Sequence, residues 1–409
     1  MVAITEGTTM APNLVDTAKS LFRGSLPDEP TSAEPLQIIN NKVKNGNEIN
    51  EDTKIVKKKP LKLKAPPKPE YKWRIVWRNV IAFIYLHTFS IYGLYLVFYQ
   101  ASWWTTAWAV GLASIAGQGI TAGAHRLWAH RTYKAKLPLR IFLAALQTIA
   151  FQNHLYEWVR DHRVHHKFTD TDADPHNATR GFFFSHIGWL MLKKHKEVFL
   201  KGKKVDLSDL RADPVVMFQK KYYLILMPLL CFVFPTFVPW YYWNENFWNS
   251  WYIAGVLRYT ISLNITWLVN SAAHIWGMKP YDRTIAPTEN IFVAVVAQGE
   301  GWHNYHHVFP WDYKAAELGN YKLNFSTAFL DFMQYIGQAH DLKTATKEMI
   351  DRRARRTGDG TRVCSKEQES NPGYHSYLDD GDHLWGWGDK DMSDNEVEFV
   401  LKTNNLTER

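Results

Sequence analysis

Cysteine is scarce in this chain: Cys231 and Cys364 are the only two among 409 residues. Two cysteines cannot form the disulfide framework of a small secreted domain, so the composition favours a reducing, cytosol-facing environment. The sequence also lacks a dinucleotide-binding glycine fingerprint and an HPGG haem segment. Any redox chemistry in this chain would therefore need electrons from a partner.

Excess charge is absent from most of the chain. The formal net charge is +8, and residues 42–78, with ten Lys, two Arg and four acidic residues, account for all of it. A nucleic-acid-binding protein would need a basic face on a folded domain, so no nucleic-acid partner is expected. Residues 1–70 lack hydrophobic periodicity and are predicted to be a disordered, basic, cytosolic tail.

Four apolar stretches are long enough to cross a bilayer, which takes about 20 residues. They cover residues 80–99, 104–123, 222–243 and 251–273. The links within each pair carry no Lys or Arg, whereas basic residues flank the other ends. The positive-inside rule then places both termini in the cytosol. The expected fold is an all-α integral membrane protein with four transmembrane helices and a cytosolic helical cap (124–221 and 274–345). Residues 71–345 would form this four-span domain, and residues 346–409 a cytosolic C-terminal tail.

The histidines are spaced in a way that indicates a metal site. They form one H-x4-H box and two HxxHH boxes, namely His125 and His130; His162, His165 and His166; and His303, His306 and His307. Residues i, i+3 and i+4 share one face of a helix, so each HxxHH box offers three imidazoles to one small volume. His125 and His130 lie about 140° apart on an ideal helix. Their spacing indicates either a helix end or ligands divided between two metals.

Eight imidazoles are too many for one ion, so the boxes predict a dinuclear centre. Imidazole suits zinc, copper, iron and nickel. No cysteine accompanies the histidines, which argues against a structural zinc finger or an iron–sulfur cluster. A closed zinc site takes four ligands, so eight favour a redox-active pair, and iron is the preferred metal.

Several longer segments carry a family resemblance. They are WRN at 77–79, GITAGAHRLWAHRTYKAKLPLR at 119–140, AFQN at 150–153, YEWVRDHRVHHKFTDTDADPHN at 156–177, RGFFFSHIGWL at 180–190, WLVNSAAH at 267–274 and GEGWHNYHH at 299–307. Together they resemble the membrane acyl-CoA desaturases, particularly the stearoyl-CoA Δ9 type, from about residue 71 to 360. The Trp-rich stretch HLWGWGDKDM at 383–392 resembles the arthropod members.

The resemblance implies two irons held by nine histidines, the eight boxed ones and His274, with Asn270 acting through a water. The fourth apolar run supports this addition independently, because Ser262, Thr266, Asn270 and His274 recur at a spacing of four residues. Polar residues inside a span usually face the protein interior and mark function. Ordinary interhelical hydrogen bonding is the alternative for such a stripe.

Substrate residues are assigned in two groups. By resemblance, Asn79, Asn153, Arg160 and Lys194 would bind the coenzyme A headgroup, and Gln152, Trp158, Thr266 and Trp267 would surround the bend of the acyl chain. A second stripe at a spacing of four, Ala113, Gly117, Thr121 and His125, consists of small residues that end at a boxed histidine. It allows two interpretations, close helix packing or a groove in which Ala113 and Gly117 set the acyl chain length.

The predicted reaction is an O2-dependent insertion of a cis double bond, Δ9 by resemblance, into a saturated long-chain acyl-CoA for unsaturated fatty acid synthesis. By the same resemblance, electrons would come from NADH through cytochrome b5 and its reductase, and the enzyme would be a multi-pass protein of the endoplasmic reticulum membrane. The alternatives are another regiospecificity such as Δ11, a related di-iron fatty acyl hydroxylase, a front-end desaturase, or a histidine-rich metal transporter. His303 argues against the front-end class, which carries Gln at that box position.

Overall fold

The structure is a computed structural model that describes residues 72–317, 320–362 and 384–403. The predicted disordered tail at 1–70 lies outside the described residues. Within them the chain is mainly helical, as expected. In chain order the α-helices are α1 Trp77–Tyr99, α2 Trp103–Gln118, α3 Leu137–Ala150, α4 Leu155–Lys167, α5 Trp189–Met191, α6 Lys196–Gly202, α7 Ser208–Ala212, α8 Pro214–Pro228, α9 Phe234–Tyr242, α10 Phe247–Ser250, α11 Arg258–Asn270, α12 Ala272–Ile275, α13 Ile291–Val296, α14 His303–Val308, α15 Phe325–Tyr335, α16 Lys347–Thr357 and α17 Asp394–Phe399.

Among the described residues, four wider π-helical stretches interrupt or extend these helices, and one short 3₁₀ turn occurs at Ala178–Arg180. The π-helical stretches are Gly119–Ala129, Phe184–Gly188, Leu229–Val233 and Trp251–Leu257. All four continue into or from an α-helix without a break: α8 runs into α9 and α10 into α11, the first stretch extends α2 as far as Ala129, and the second runs into α5. π-Helical turns are often found at functional sites, and the stretch after α2 contains His125.

Two of the described helices are long and apolar enough to cross a membrane, Trp77–Tyr99 and Pro214–Tyr242. Both have a mean hydropathy of 1.8, and less than a third of each apolar window is buried inside the protein. The core helix of a soluble protein would be mostly buried. Large apolar side chains such as Ile91 and Leu224 instead point outward, more than 70% exposed, as lipid contact requires.

The other two predicted spans are helical but do not meet the same test of length and hydropathy. In the run at 104–123, the α-helix ends at Gln118 and the π-helical continuation carries polar residues. In the run at 251–273, α11 contains Arg258, Asn264 and Asn270. These polar side chains lower the mean hydropathy of the two helices, each of which packs one side against the interior of the protein.

The two short links between the predicted spans meet through Glu245. Its carboxylate accepts hydrogen bonds from the backbone N–H of Ser102 at 2.8 Å and from the Thr105 hydroxyl at 2.6 Å. It also accepts one from the Asn249 side chain at 3.0 Å. The start of α2 and the start of α10 therefore lie together at one end of the helices. His125, in the π-helical continuation of α2, lies 23 residues after Ser102, which corresponds to about 35 Å at the rise of an α-helix.

The remaining elements form a helical cap. Helix α3 packs on the π-helical stretch after α2, and their shared core contains Trp128, Leu143 and Leu155. Two small antiparallel sheets close it: β1 Lys134–Ala135 pairs with β2 Ala339–His340, and β3 Leu342–Thr344 pairs with β4 Leu401–Thr403. The described parts of the predicted tail at 346–409 are thus paired with and packed on the cap.

Candidate metal centre

Nine histidines converge in two groups at the cap end of the helices. The first group, called the five-histidine centre, consists of His125, His130, His162, His166 and His306. The second, the four-histidine centre, consists of His165, His274, His303 and His307. Within each group the candidate ligand atoms all lie within 4.8 Å of one another. The sequence-predicted set of nine histidines is therefore brought together, including His274 from outside the boxes.

The Nε2 atoms point inward in both groups. In the five-histidine centre the Nε2 atom of His306 lies 2.9 Å from that of His125 and 3.1 Å from that of His166. In the four-histidine centre the Nε2 atom of His303 lies 3.1 Å from those of His274 and His307. Two imidazole nitrogens bound at right angles to one ion, each about 2.1 Å from it, are about 3.0 Å apart. The observed spacing is that of neighbouring ligands of one cation.

The two HxxHH boxes are divided between the centres in opposite ways. From the first box His162 and His166 enter the five-histidine centre and His165 the four-histidine centre. From the second box His306 enters the five-histidine centre, and its i and i+4 members, His303 and His307, enter the other. Each box therefore chelates one centre through its i and i+4 residues and reaches the second through i+3.

His125 and His130 belong to the same centre, which excludes the interpretation that they are divided between two metals. The helix-end interpretation is confirmed. His125 lies in the π-helical stretch Gly119–Ala129, and His130 is the residue that ends it, with its N–H donating to the His125 carbonyl. The wider π-helical turn and the helix end together bring the two rings to a centroid separation of 4.7 Å.

The outward Nδ1 atoms of three of these histidines donate hydrogen bonds that set the ring tautomer. His125 Nδ1 lies 2.8 Å from the Glu300 carboxylate, and His165 Nδ1 lies 2.9 Å from Asp174. His130 Nδ1 donates to the backbone carbonyl of Trp385. Because these partners only accept, the proton must be on Nδ1, and the lone pair on Nε2 faces the centre.

Burial, together with the neighbouring imidazoles, favours the neutral form of six of the nine rings. It holds the pKa of these six well below the ordinary value, and they are His130, His162, His166, His303, His306 and His307. Neutral imidazole is the form that binds a metal. Inward lone pairs about 3 Å apart repel one another unless a cation lies among them, so the donor set fits a metal ion in each centre.

Acidic residues close to the centres were missed in the sequence. Asp174 accepts from His165, and Asp170 lies 3.6 Å from His274 Nδ1, too far for a hydrogen bond but close enough for attraction. Burial opposes ionisation of Asp174, but His165 and His176 outweigh it and lower the pKa of the carboxyl. Glu300 is held by both His125 and the buried Arg126 at 2.8 Å. In the sequence, an acidic residue within a few positions of a histidine box was the feature that could have identified them.

Comparison with known proteins decides the family. The family model described as fatty acid desaturase matches residues 101–319. The chain is 59% identical over 335 residues to an acyl-CoA Delta-9 desaturase of Acheta domesticus, covering 82% of this chain and 88% of the relative. The chain belongs to the fatty acid desaturase family. It is also 54% identical over 336 residues to an acyl-CoA Delta-12 desaturase of Tribolium castaneum (81% and 92% covered). It is 59% identical over 289 residues to stearoyl-CoA desaturase 5 of Bos taurus (70% and 85% covered).

The family resemblance predicted from the motifs is therefore confirmed. A fatty acid desaturase with two exposed apolar helices of membrane-spanning length is a membrane protein. The histidine centres lie at the end of the helices away from Glu245. In this desaturase the candidate metal-binding histidines thus come from helix ends and from the cap, where polar groups can be held without facing lipid.

Of the residues predicted to bind a headgroup, Asn153, Arg160 and Lys194 lie on the cap of the desaturase and Asn79 lies in the first turn of α1. Arg160 and Lys194 share an acidic pair. Arg160 donates to Asp161 at 2.8 Å and to Glu157 at 3.1 Å, and Lys194 pairs with the same Asp161. Asn79 and Asn153 make different contacts. The Asn79 side chain donates to the Leu190 carbonyl at 2.7 Å, and the exposed Asn153 accepts at its backbone carbonyl from Gln147.

Of the four residues predicted to surround the acyl chain of this desaturase, Gln152 and Thr266 contact each other, and Trp158 and Trp267 pack against other rings. The Gln152 side chain donates to the Thr266 hydroxyl at 2.8 Å. The Trp158 ring stacks on His162 at a centroid distance of 4.9 Å, so it touches the five-histidine centre. The Trp267 ring is buried and packs edge-on against Phe83.

Two of the remaining predicted positions, Ala113 and Gly117, lie on α2, and Asn270 ends α11. A Cβ atom at Gly117 would lie 2.9 Å from the Gln298 side chain, so glycine permits this close approach. Gln298 in turn donates to the Ser114 carbonyl at 3.0 Å. Ala113 is half-buried one turn earlier. Asn270 is half-buried at the last position of α11, four residues before His274.

Proposed function

We propose that this chain is an O2-dependent acyl-CoA desaturase that inserts a cis double bond, Δ9 in the first instance, into a saturated long-chain acyl-CoA. The observation that carries the proposal is the pair of histidine centres, each with inward Nε2 atoms at the spacing of neighbouring metal ligands. Five and four imidazoles without cysteine suit iron, which can accept more than the four ligands of a closed zinc site.

The nine histidines would hold one iron in each centre, with Asn270 contributing through a water beside His274. Two irons together supply the oxidising power needed to remove hydrogen from an unactivated methylene. The chain's own residues then do the rest. Asp174, Glu300 and the Trp385 carbonyl keep three rings in the metal-binding tautomer, and the buried surroundings exclude bulk water.

Electron balance requires a separate donor. Two hydrogen atoms from the acyl chain provide two of the four electrons that reduce O2 to two waters, so two more electrons and two protons must be supplied. We assign the donor as cytochrome b5, reduced by NADH through its reductase. The absence of nucleotide and haem fingerprints in the sequence supports an external source.

Substrate binding is assigned to the cap and to the helices below it. Arg160 and Lys194 would meet the phosphates of coenzyme A, with Asn79 and Asn153 beside them, because Arg and Lys are the side chains that bind phosphate. Gln152, Thr266, Trp158 and Trp267 would line the bend of the acyl chain. The contact of Trp158 with His162 supports a chain that passes close to the five-histidine centre.

The membrane arrangement proposed is four spans, the two apolar helices plus the helical runs at 104–123 and 251–273. Both termini and the histidines would face the cytosol from the endoplasmic reticulum. Glu245 ties the two short links together at one end, and the link residues carry no Lys or Arg. The helix from there to His125, about 35 Å long at the rise of an α-helix, is long enough to cross the roughly 30 Å hydrocarbon core of a bilayer.

The test is expression in an unsaturated-fatty-acid auxotroph, followed by mass-spectrometric mapping of the double bond. A cis double bond at carbon 9 is the expected product. Relatives named Delta-9, Delta-11 and Delta-12 desaturases are 50% to 59% identical to this chain, so the mapped position decides among them. A product that retains oxygen would assign a hydroxylase instead, and growth without any new lipid product would overturn the proposal.

A further inference from the structure

A segment distant in sequence reaches the five-histidine centre. Residues 384–403, called the C-terminal strap, touch His130 through three backbone contacts. The Trp385 carbonyl accepts from His130 Nδ1, and the Trp387 N–H donates to the His130 carbonyl at 2.9 Å. A Cβ atom at Gly386 would lie only 2.6 Å from the His130 backbone. The strap therefore approaches this histidine so closely that position 386 has no room for a side chain.

The Trp385 side chain fixes the strap between two histidine boxes. It is 2% exposed, and its ring lies under the guanidinium groups of Arg131 at 4.6 Å and Arg163 at 4.3 Å. These arginines directly follow His130 and His162, and both pair with Asp209. Cation–π contacts of this kind are attractive. The ring thereby contacts the residues that directly follow two histidines of the five-histidine centre.

The rest of the strap is anchored on either side of this contact. Lys167, which directly follows His166, pairs with Asp389 at 3.0 Å and with Asp391 at 2.8 Å. Asp389 also accepts from the Trp385 N–H at 3.0 Å. The N–H and the carbonyl of Trp385 are therefore both held by hydrogen bonds. Strand β4 pairs with β3 at the end of the strap. Three of the five ligands, His130, His162 and His166, are thus each followed by a residue that the strap contacts.

We infer that the C-terminal strap positions His130 and makes retention of metal in the five-histidine centre depend on residues 384–403. The inference rests on the proposed function, since it takes these histidines as metal ligands. The Trp385 carbonyl is a positioning group that acts through His130 and touches no substrate. Among the described residues, no strap residue hydrogen-bonds to a histidine of the four-histidine centre. The effect should therefore fall on one metal of the two.

The experiment compares two truncations of the full chain in detergent, loaded with Fe²⁺. One ends after residue 383 and removes the strap, and the control ends after Thr403 and keeps it. Iron per chain is measured by mass spectrometry, and release to a chelator is followed with time. The control should hold two irons and behave as the wild type. The chain without the strap should hold one, or release one at least tenfold faster.

Two further variants separate positioning from folding. Gly386→Val keeps the strap but forces its backbone away from His130, and should also speed release of one iron at least tenfold. The separate peptide of residues 384–403, added to the shorter truncation, should restore the second iron. The Mössbauer signal of the other iron should stay unchanged throughout.

The possible outcomes distinguish the two proposals. Suppose that the wild type holds two irons and that the shorter truncation and Gly386→Val both retain two irons equally well. This result would overturn the role of the strap and leave the proposed function intact. A wild-type chain that binds fewer than two irons would overturn the proposed function itself. Loss of both irons together in Gly386→Val would also contradict the inference, because the strap would then support the whole cap and not one centre.

Discussion

The five-histidine and four-histidine centres use the same ligand but are held in place differently. The four-histidine centre has support from nearby in sequence, because Asp174 accepts from His165, nine residues before it. Its other acidic neighbour, Asp170, lies beside His274, which is distant in sequence. The five-histidine centre is supported from distant parts of the sequence, by Glu300 at His125 and by the carbonyl of Trp385, 255 residues after His130. In this desaturase, one histidine centre therefore has local support in addition to tertiary contacts, whereas the supports of the other come from tertiary structure.

The strongest test of this comparison removes one ligand from each centre. His306→Ala should empty the five-histidine centre and His303→Ala the four-histidine centre, so each variant should hold one iron in place of two. Desaturation should fall more than about 100-fold in both, since a change behind a ligand already costs about 10- to 100-fold. Iron content and product yield are the measurements.

The control is His340→Ala, which alters a histidine outside both centres. It should keep two irons and the wild-type yield. If His306→Ala and His303→Ala left the same residual Mössbauer signal, the division into two distinct centres would be wrong.

A smaller effect is expected from removing local support. Asp174→Ala leaves His165 Nδ1 without its acceptor and should weaken iron at the four-histidine centre about 10- to 100-fold. The five-histidine centre should keep its iron. Competitive chelator titration measures both affinities, and the exposed Asp172→Ala is the matched control. Equal weakening of both irons would show that the centres are not supported separately.

Headgroup binding should be separable from both centres. Lys194→Ala removes a cation assigned to the phosphates and should raise KM for the acyl-CoA about tenfold with little change in kcat, since a charge-assisted hydrogen bond contributes about 1.5 kcal/mol or more. The exposed Lys196→Ala is the control. A fall in kcat with loss of iron would instead assign Lys194 to the support of the centres.

The smallest expected effect concerns the acyl chain. Ala113→Tyr adds a large side chain to the small-residue stripe of α2 and should shift the preferred substrate to a shorter acyl chain, while both irons are retained. Product analysis with acyl-CoAs of graded length measures this shift. An unchanged length preference would leave only the close-packing interpretation of Ala113 and Gly117.

Much of the site could be predicted from the sequence because metal ligands recur at helical spacing. The H-x4-H box and the two HxxHH boxes identified eight of the nine histidines. His274 came from the family resemblance, and the polar stripe in the fourth apolar run supported it. The helical nature of the chain and the apolar helix Trp77–Tyr99 could also be predicted, because hydropathy is a local pattern in the sequence.

The division of the ligands could not be predicted, because it depends on how helices approach one another. The i+3 members, His165 and His306, cross to the opposite centre, which only the packing of α4 against α14 decides. The joint placement of His125 and His130 depends on a π-helical stretch that spacing on an ideal helix does not reveal. The contact between Trp385 and His130 could not be predicted from any local pattern, since the two residues lie on different elements.

The most direct test is an anomalous difference map of the iron-loaded protein, recorded at the iron absorption edge. We expect two peaks, one about 2.1 Å from the Nε2 atoms of His125, His306 and their three partners, and one at the same distance from those of His274, His303 and their two partners. A single peak, or a peak coordinated by Asp174 and His176 in place of either histidine group, would contradict it.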